Sequence, residues 1–344
     1  MKCLSVSVII VAYHSRRDLE RCLPTLYQQS IQPLEVIIVN NSPDDGLATW
    51  LCDAYPQAQV IANAANTGYA GGNNLGVEQA SGEYVLILNP DTELRPGSLE
   101  ALVGAVQRRP EALIAAKLLR PDGTINACGL KMHFTGITFC RGLDEHASAY
   151  PGLHGVPLAS GAAFIVSKEL FLELKGFDEV FFMYMEDADF SLRASLWGIP
   201  VLCAGDAHIT HHYQLAMSPN KFYFLERNRL LTLFKLYRLR TLSAMLPALL
   251  VTEFATWGFA LLKGRGYLAA KLKGYTWLWR TRREWGADRR YVQQRRKHSD
   301  RHLLNHSVVT FPFDQLLSNR RLVAVLDSLT RPLYRALFGW VKLH

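Results

Sequence analysis

Acidic side chains stand directly behind two apolar runs of this sequence, where carboxylates can bind a divalent cation or take a proton from a hydroxyl group. The first run, residues 84–88, reads Tyr-Val-Leu-Ile-Leu and is followed by Asn89, Pro90 and Asp91. Because proline has no N–H for a sheet ladder, the predicted strand ends just before Asp91. Ligands of open α/β sheets bind at the carboxyl ends of strands, and carboxylate oxygen suits Mg²⁺. The position of Asp91 therefore predicts a metal site. The alternative is that Asp91 is only a turn residue, which precedes a helix starting near Pro96.

The second acidic cluster follows residues 181–185, which read Phe-Phe-Met-Tyr-Met, and consists of Glu186, Asp187 and Asp189. The spacing of the residues that follow predicts that these acids begin a helix. Acids at a helix N-terminus are favoured by the macrodipole, which accounts for one or two of them. It does not account for Asp187 beside such an apolar run, so Asp187 is a candidate for a chemical role.

Alternating strand and helix patterns fill the first part of the chain and position these acids. Strands are predicted at residues 6–12, 34–40, 59–62 and 84–88, and helices at 16–29, 47–54 and 73–80. This order implies right-handed crossovers and a mainly parallel central sheet, as in nucleotide-binding α/β folds.

A segment rich in glycine and asparagine, NAANTGYAGGNN, occupies residues 63–74. Its composition predicts an irregular loop. Gly71 and Gly72 would let backbone approach a ligand, and the following helix would offer free N–H groups to a phosphate or a sugar hydroxyl. The alternative is a structural turn before a helix. The segment does not match the dinucleotide pattern G-x-G-x-x-G.

Composition excludes several classes of protein. With 344 residues, of which 49% are hydrophobic, the chain is neither disordered nor fibrous. Its cysteines form no C-x-x-C pair, which argues against a zinc site or a disulfide framework and fits a reducing compartment. They are Cys3, Cys22, Cys52, Cys128, Cys140 and Cys203. Residues 1–20 lack a signal-peptide pattern, so we expect a cytoplasmic location.

Charge is distributed unevenly. Residues 1–213 carry 14 Lys and Arg against 23 Asp and Glu, whereas residues 214–344 carry 24 Lys and Arg against 7 Asp and Glu.

Residues 242–262 approach the length of a membrane span but contain Pro247 and Glu253. From this segment onward, tryptophans alternate with Lys and Arg. This mixture predicts helices that lie in the headgroup layer; a true span and a soluble helical subdomain are the alternatives. We therefore predict two parts, residues 1–240 and a helical, basic, membrane-associating region at 241–344.

These motifs together resemble inverting glycosyltransferases of family 2, which have the GT-A fold, and within that family the bacterial rhamnosyltransferase-like enzymes. The resemblance runs from about Val6 to Arg240. Ala12 and Tyr13 match the family's first strand and turn, where the nucleobase is held. Asn40 stands where the family usually has an aspartate that accepts a hydrogen bond from the base, and an amide oxygen can also accept from a pyrimidine N3–H.

The resemblance also implies roles for the other motifs. Asp91 would bind the metal in the family's D-x-D motif, with Asn89 in place of the first acid, and His211 would complete the metal site. Asp187 would be the catalytic base. The remaining nucleotide- or sugar-binding residues would be Asn66, Gly68, Gly71, Gly72, Asn73 and Asn89. Acceptor or diphosphate contacts are assigned to Gly161, Glu186 and Arg227.

The implied activity is the Mg²⁺- or Mn²⁺-dependent transfer of a sugar, with dTDP-rhamnose as the subgroup's donor, to a lipid-linked glycan of cell-surface polysaccharide. It would take place at the cytoplasmic face of the inner membrane, with the anionic membrane surface as a partner and without nucleic acid. A nucleotidyltransferase would instead need a basic glycine-rich first turn, but residues 13–17 read Tyr-His-Ser-Arg-Arg. An inactive GT-A-like module that binds lipid or nucleic acid through its basic region is the other alternative; it predicts salt-sensitive nucleic-acid binding.

Overall fold

The structure, a computed structural model, describes residues 4–42, 45–213, 216–311, 313–316 and 320–343. Cys3 lies outside these residues. The chain divides into two compact units, which are described separately. The first comprises residues 1–130, 140–194 and 199–214, and the second comprises 131–139, 195–198 and 215–344. The boundary at residue 240 stays a prediction.

Strands and helices alternate through the first unit, and helices dominate the second. The described strands are β1 (Val6–Ala12), β2 (Glu35–Asn40), β3 (Gln59–Ala62), β4 (Tyr84–Leu88), β5 (Thr92–Leu94), β6 (Leu113–Leu119), β7 (Ile125–Cys128), β8 (Leu130–Met132), β9 (Thr138–Cys140), β10 (Leu153–Gly155), β11 (Ala163–Ser167) and β12 (Val201–His211). The described helices are α1 (Arg16–Tyr27), α2 (Leu47–Ala54), α3 (Gly68–Gln79), α4 (Ser98–Arg108), α5 (Lys168–Glu173), α6 (Glu186–Leu196), α7 (Pro219–Leu236), α8 (Leu239–Lys263), α9 (Arg265–Arg280), α10 (Arg282–Arg295), α11 (Asp300–His306), α12 (Phe313–Leu316) and α13 (Arg320–Leu343), with a 3₁₀ turn at Glu179–Phe181.

A mixed ten-stranded sheet forms the first unit, in the order β10-β12-β6-β11-β4-β1-β2-β3, with β5 paired to β12 and β7 to β6. The four strands β4, β1, β2 and β3 are parallel, as are β6 and β12. Every residue of β1, β4 and β6 is buried, because both faces of the sheet are covered. The predicted α/β fold with a mainly parallel sheet is confirmed. Strand β11 runs antiparallel between β4 and β6.

Helix α3 corrects the prediction of an irregular loop at residues 63–74, because it begins at Gly68 rather than near Asn73. A Cβ at Gly72 would lie 2.8 Å from the Val11 side chain, and one at Gly76 would lie 2.4 Å from that of Ile9. These glycines let the helix pack directly on β1. Close packing here outweighs the low intrinsic helix propensity of glycine, about 1 kcal/mol per residue below alanine.

A buried ionic cluster joins helices α7, α8 and α9 inside the second unit. Glu226 lies 3.0 Å from Arg229 and also pairs with Lys271, whose Nζ is 2.9 Å from Glu253 Oε2. Burial raises the pKa of Glu226, but the two cations outweigh it and lower that pKa to about 2. Glu253, which interrupts the apolar run of α8, is therefore paired within the unit.

Among the described helices, α8 is the one whose length and composition would allow it to cross a bilayer. Its mean hydropathy is 1.6 over an 18-residue window, of which 28% is buried. A buried core helix of a soluble protein meets the same criteria, so this finding alone is weak support for a membrane span.

Candidate active site

The pairing of β5 with β12 brings Asp91 beside His211. Strand β5 starts directly after Asp91, and its Thr92 lies opposite His211 in the antiparallel ladder. The backbone N–H of His212 donates to the Asp91 carbonyl at 2.9 Å. As a result, Asp91 Oδ1 is 3.3 Å from His211 Nε2.

Asn126 orients the imidazole of His211. Its Oδ1 is 3.1 Å from His211 Nδ1. An amide oxygen can only accept a hydrogen bond, so Nδ1 donates to Asn126, and this contact directs Nε2 toward Asp91. Asn126 lies where the register of β7 against β6 shifts, and such irregularities re-aim side chains near functional sites. Sequence reasoning missed Asn126, since nothing local distinguishes it.

The Asp91 and His211 atoms fit a divalent cation. Asp91 Oδ1 and His211 Nε2 are both buried, and neither has a hydrogen-bond partner among the described residues. Burial raises the pKa of Asp91, but the neighbouring imidazole lowers it, and the net pKa is below the ordinary value. Two ligands with bonds of about 2.1 Å at near right angles lie about 3 Å apart, close to the separation found here. Carboxylate oxygen and imidazole nitrogen together suit Mn²⁺.

Asn89 connects this pair to the start of β11. Its backbone N–H donates to the Ala162 carbonyl at 2.9 Å, which holds the Asn89-Pro90-Asp91 turn against the residue that follows Gly161. The Asn89 Oδ1 atom is buried without a hydrogen-bond partner among the described residues. Asn89 thus lies beside Asp91 and Ala162, and its role in binding nucleotide or sugar stays a prediction.

Asp187 is held by two backbone donors. Its Oδ2 accepts the N–H of Gly161 and its Oδ1 accepts the N–H of Ala188, both at 2.7 Å. A Cβ at Gly161 would lie 3.2 Å from Asp187 Cβ, so glycine permits this close approach. Burial raises the pKa of Asp187 and the two N–H donors lower it, with the net pKa above the ordinary value. The carboxylate is ordered and its basicity is increased.

Glu186, beside Asp187, is only 5% exposed, and its Oε2 has no hydrogen-bond partner among the described residues. Burial, together with the charge of Asp187, raises the pKa of Glu186 well above its ordinary value. Of two adjacent buried carboxyl groups, only one ionises readily. Glu186 therefore favours its protonated form, which leaves the charge on Asp187.

Tyr69 connects the two acidic motifs. Its hydroxyl donates to the Gly161 carbonyl at 2.7 Å. Burial raises its pKa well above the ordinary value, and the charges of Glu186, Asp187 and Asp91 raise it further. The Tyr69 hydroxyl therefore lies beside Gly161, whose own N–H binds Asp187, and it is near enough to Asp91 for that charge to raise its pKa. Tyr69 was not among the predicted site residues; the one signal was a single aromatic residue within a glycine- and asparagine-rich segment.

A strained turn positions the second acidic motif. Phe182, Tyr184 and Met185 have φ values of 64°, 64° and 68°, in the left-handed region that non-glycine residues rarely adopt. The N-terminus of α3 holds this turn: Ala70 N–H donates to the Phe182 carbonyl at 3.1 Å, and a Cβ at Gly68 would lie 2.3 Å from that oxygen. Such strain clusters at functional sites, where surrounding structure maintains it.

The residues predicted to hold the nucleobase lie together at the ends of two parallel strands. Ala12 and Asn40 are register partners at the ends of β1 and β2. Tyr13 is 54% exposed beside them. Asn40 Oδ1 accepts the N–H of Ser42 at 2.8 Å, which leaves its second lone pair for a ligand.

The other predicted binding residues have mainly structural contacts. Asn66 Oδ1 accepts the N–H of Gly68 at 2.8 Å where α3 begins. Gly71, Gly72 and Asn73 are buried within α3. Their ligand roles stay predictions.

Arg227 belongs to the second unit, on α7. It is 4% exposed, and its guanidinium lies 4.2 Å from the centre of the Trp277 ring. Its Nε donates to Asn228 Oδ1 at 2.8 Å. A contact with acceptor or diphosphate stays a prediction.

Known sequences resemble the chain over most of the first unit. The family model for glycosyl transferase family 2 matches residues 7–174. The N-acetylglucosaminyl-diphospho-decaprenol L-rhamnosyltransferase of Mycobacterium tuberculosis (strain CDC 1551 / Oshkosh) is 30% identical over 235 residues. That match covers 60% of this chain and 75% of the relative.

Solved structures share the fold. Residues 1–349 of S. aureus TarS match with a TM-score of 0.57 at 16% identity, covering 98% of this chain and 90% of theirs. GalNAc-T7 with UDP, GalNAc and Mn²⁺ matches with a TM-score of 0.57 at 15% identity, covering 68% of this chain and 49% of that one. These likenesses confirm the predicted fold class.

Proposed function

Because the chain belongs to glycosyl transferase family 2 and has the GT-A fold, we propose that this glycosyltransferase moves a sugar from a nucleotide-sugar to a lipid-linked glycan with inversion. The observation that carries the proposal is the pair of buried atoms Asp91 Oδ1 and His211 Nε2, which lie 3.3 Å apart and have no hydrogen-bond partner in the part of the chain that the structure describes. The hydrogen bonds from Tyr69 to Gly161 and from Gly161 to Asp187 support a carboxylate base near this pair.

Asp187 is the proposed general base. Inversion needs one carboxylate that takes the proton of the acceptor hydroxyl as its oxygen attacks the anomeric carbon, opposite the leaving nucleoside diphosphate. The N–H groups of Gly161 and Ala188 fix the orientation of this carboxylate. Burial raises its pKa toward the working pH, which improves a base of this kind. Glu186, favoured in its protonated form, adds no competing charge.

Asp91 and His211 are the proposed holders of the cation, with Asn126 orienting the imidazole. When bound, Mg²⁺ or Mn²⁺ would act as a Lewis acid that neutralises charge on the diphosphate. The imidazole ligand favours Mn²⁺ of the two. Ala12, Tyr13 and Asn40, at the ends of adjoining strands, would hold the nucleobase.

For the donor and acceptor we propose dTDP-rhamnose and a polyprenyl-diphosphate glycan, on the strength of the L-rhamnosyltransferase relative. The test is turnover by the purified chain of dTDP-rhamnose, UDP-N-acetylglucosamine and GDP-mannose, each with lipid-linked acceptor. We expect transfer from dTDP-rhamnose that EDTA abolishes and Mn²⁺ restores. Transfer from another donor alone would refute the donor assignment. Absence of transfer from all three, with salt-sensitive binding of lipid or nucleic acid, would favour the inactive binding module.

We further propose that residues 241–344 associate with the cytoplasmic face of the membrane, peripherally. Helix α8 exposes Leu246, Leu250 and Phe254, spaced by four residues and therefore on one face. Helix α13 packs against α8 and exposes a similar stripe. That stripe consists of Val325, Leu329 and Leu333. Exposed cations on the same helices, Lys263, Arg331 and Arg335, suit anionic headgroups.

Removal of this apolar face should weaken membrane binding. Replacement of both Leu250 and Phe254 by serine is expected to lower binding to phosphatidylglycerol vesicles at least about tenfold, because two large side chains lose their burial in lipid. Cosedimentation measures the binding. The matched control changes Leu34 and Leu172, exposed apolar residues of the first unit, to serine and should bind as wild type. Equal binding by both double variants, or no binding by wild type, would contradict the assignment.

A further inference from the structure

A buried pair of thiols lies between β7 and β12, among residues that the proposed transfer chemistry does not use. Cys128 Sγ is 3.3 Å from Cys203 Sγ, and neither residue is exposed. The two cysteines are 75 positions apart in sequence, so spacing alone gave no indication that they meet. His154 completes the cluster: its Nε2 is 3.5 Å from Cys128 Sγ, and it lies opposite Cys203 across the β10–β12 ladder.

Two cations beside the pair determine which chemistry it favours. Arg141 donates to His154 Nε2 at 2.9 Å and to the Cys128 carbonyl at 3.1 Å. Lys117, 1% exposed, lies opposite Cys128 in the β6–β7 ladder. A metal ion held by the two sulfurs and His154 would displace the Arg141 hydrogen bond and lie close to two positive charges. The same charges stabilise a thiolate, so the surroundings favour thiol chemistry over metal binding.

The two sulfur atoms differ in acidity. The hydrogen bond with Cys203 lowers the pKa of Cys128 in spite of burial, and the charges of Arg141 and Lys117 lower it further. The hydrogen bond to Cys128, together with burial, raises the pKa of Cys203 well above its ordinary value. Cys128, which lies opposite Lys117 and whose carbonyl binds Arg141, is thus the sulfur favoured to attack first, and Cys203 is the thiol positioned to react with it next.

We propose that Cys128 and Cys203 are a redox site that a peroxide converts reversibly into a disulfide linking β7 to β12. The Cys128 thiolate attacks one oxygen of hydrogen peroxide, the O–O bond breaks, hydroxide leaves, and Cys128 becomes a sulfenic acid. Cys203 Sγ then attacks Cys128 Sγ, and its proton leaves with the displaced hydroxyl as water. Two electrons pass from the sulfurs to the peroxide. The sulfurs, 3.3 Å apart, must approach by about 1.3 Å to reach a disulfide bond length.

The position of the disulfide matters because of what the two strands carry. Strand β7 includes Asn126, and β12 ends at His211. Oxidation would therefore link the two strands that hold the imidazole of the proposed metal site, although the thiol reaction itself does not depend on that site.

The test is peroxide treatment of the reduced full-length chain, followed by alkylation and peptide mass spectrometry. We expect a peptide that links Cys128 to Cys203, reversed by dithiothreitol. Cys22 is the internal control: it is equally buried, but burial raises its pKa to about 12. We expect Cys128 to be consumed at least about tenfold faster than Cys22, since the thiolate is the reactive form. In Cys203→Ser, Cys128 should stop at the sulfenic acid and be trapped by dimedone.

Two results would overturn the proposal. One is recovery of Cys128 and Cys203 as free thiols at a peroxide dose that oxidises the exposed Cys52. The other is one equivalent of Zn²⁺ bound by the purified chain and lost in Cys203→Ser, which would make the cluster a metal site. Serine differs from cysteine by one atom, so the variant is expected to fold, and a circular dichroism melt checks this.

Discussion

Replacement of Asp187 by asparagine is expected to lower kcat for sugar transfer by about 10²–10⁴-fold, the usual contribution of a general base. The amide has the shape of the carboxylate, and its oxygen can still accept the Gly161 N–H that Asp187 accepts at 2.7 Å. It loses the hydrogen bond from Ala188, because its NH₂ group cannot accept one, and it loses the ability to take a proton from the acceptor hydroxyl. KM for the donor should therefore stay close to wild type, and steady-state kinetics with lipid-linked acceptor measure both constants.

The pH profile gives a second test of the role of Asp187. A base must be ionised, so kcat/KM should be low below its pKa and rise as the pH rises through it. Burial raises the pKa of Asp187 above its ordinary value. The acidic limb of the kcat/KM profile should therefore lie at a higher pH than the ordinary pKa of an aspartate. Asp206→Asn, at an exposed position of β12, is the control and should retain wild-type kinetics. Asp187→Asn activity within about threefold of wild type would exclude Asp187 as the base.

Replacement of Asp91 by asparagine should have the second large effect, a loss of about 10²-fold or more in transfer rate, because a Lewis acid contributes several kcal/mol. Asp91 Oδ1 faces His211 Nε2 at 3.3 Å, and the neutral amide removes the one anionic ligand of that pair. Titration of Mn²⁺, followed by calorimetry or by the signal of free Mn²⁺, should show binding weakened at least about tenfold.

The control for Asp91 is its neighbour Glu93, whose Oε1 is 2.6 Å from His212 Nε2 and whose side chain is therefore engaged elsewhere. Glu93→Gln should bind Mn²⁺ within about twofold of wild type, because its carboxylate pairs with His212, and groups that orient the ligands themselves are the ones that tune metal affinity. Wild-type Mn²⁺ affinity in Asp91→Asn, or equal losses in both variants, would contradict the assigned ligand.

Local patterns predicted the elements whose ends are marked by turn residues. The predicted bounds of β1, α2, β3 and β4 match Val6–Ala12, Leu47–Ala54, Gln59–Ala62 and Tyr84–Leu88 in the structure. Each is a compact apolar or amphipathic run between polar or turn-forming residues, so periodicity and turn residues suffice to locate it.

Long-range strand pairing determines which side chains meet in the candidate site, and local sequence patterns do not predict it. Asp91 and His211 meet because β5 pairs with β12, some 120 positions later in the chain; no local pattern encodes that register, and the family resemblance alone predicted the pair. Asn126 enters the site through a register shift of β7, and Tyr69 through a helix that glycine-rich composition predicted to be a loop. In each case tertiary packing determines the conformation and outweighs the local propensity of the sequence.

The anomeric configuration of the product tests the central claim most directly. NMR of the glycan formed by the wild-type chain in the presence of Mn²⁺, before any further reaction, gives this configuration. A single displacement assisted by Asp187 as the one base predicts a configuration opposite to that of the donor sugar. A product that retains the donor configuration would contradict the account.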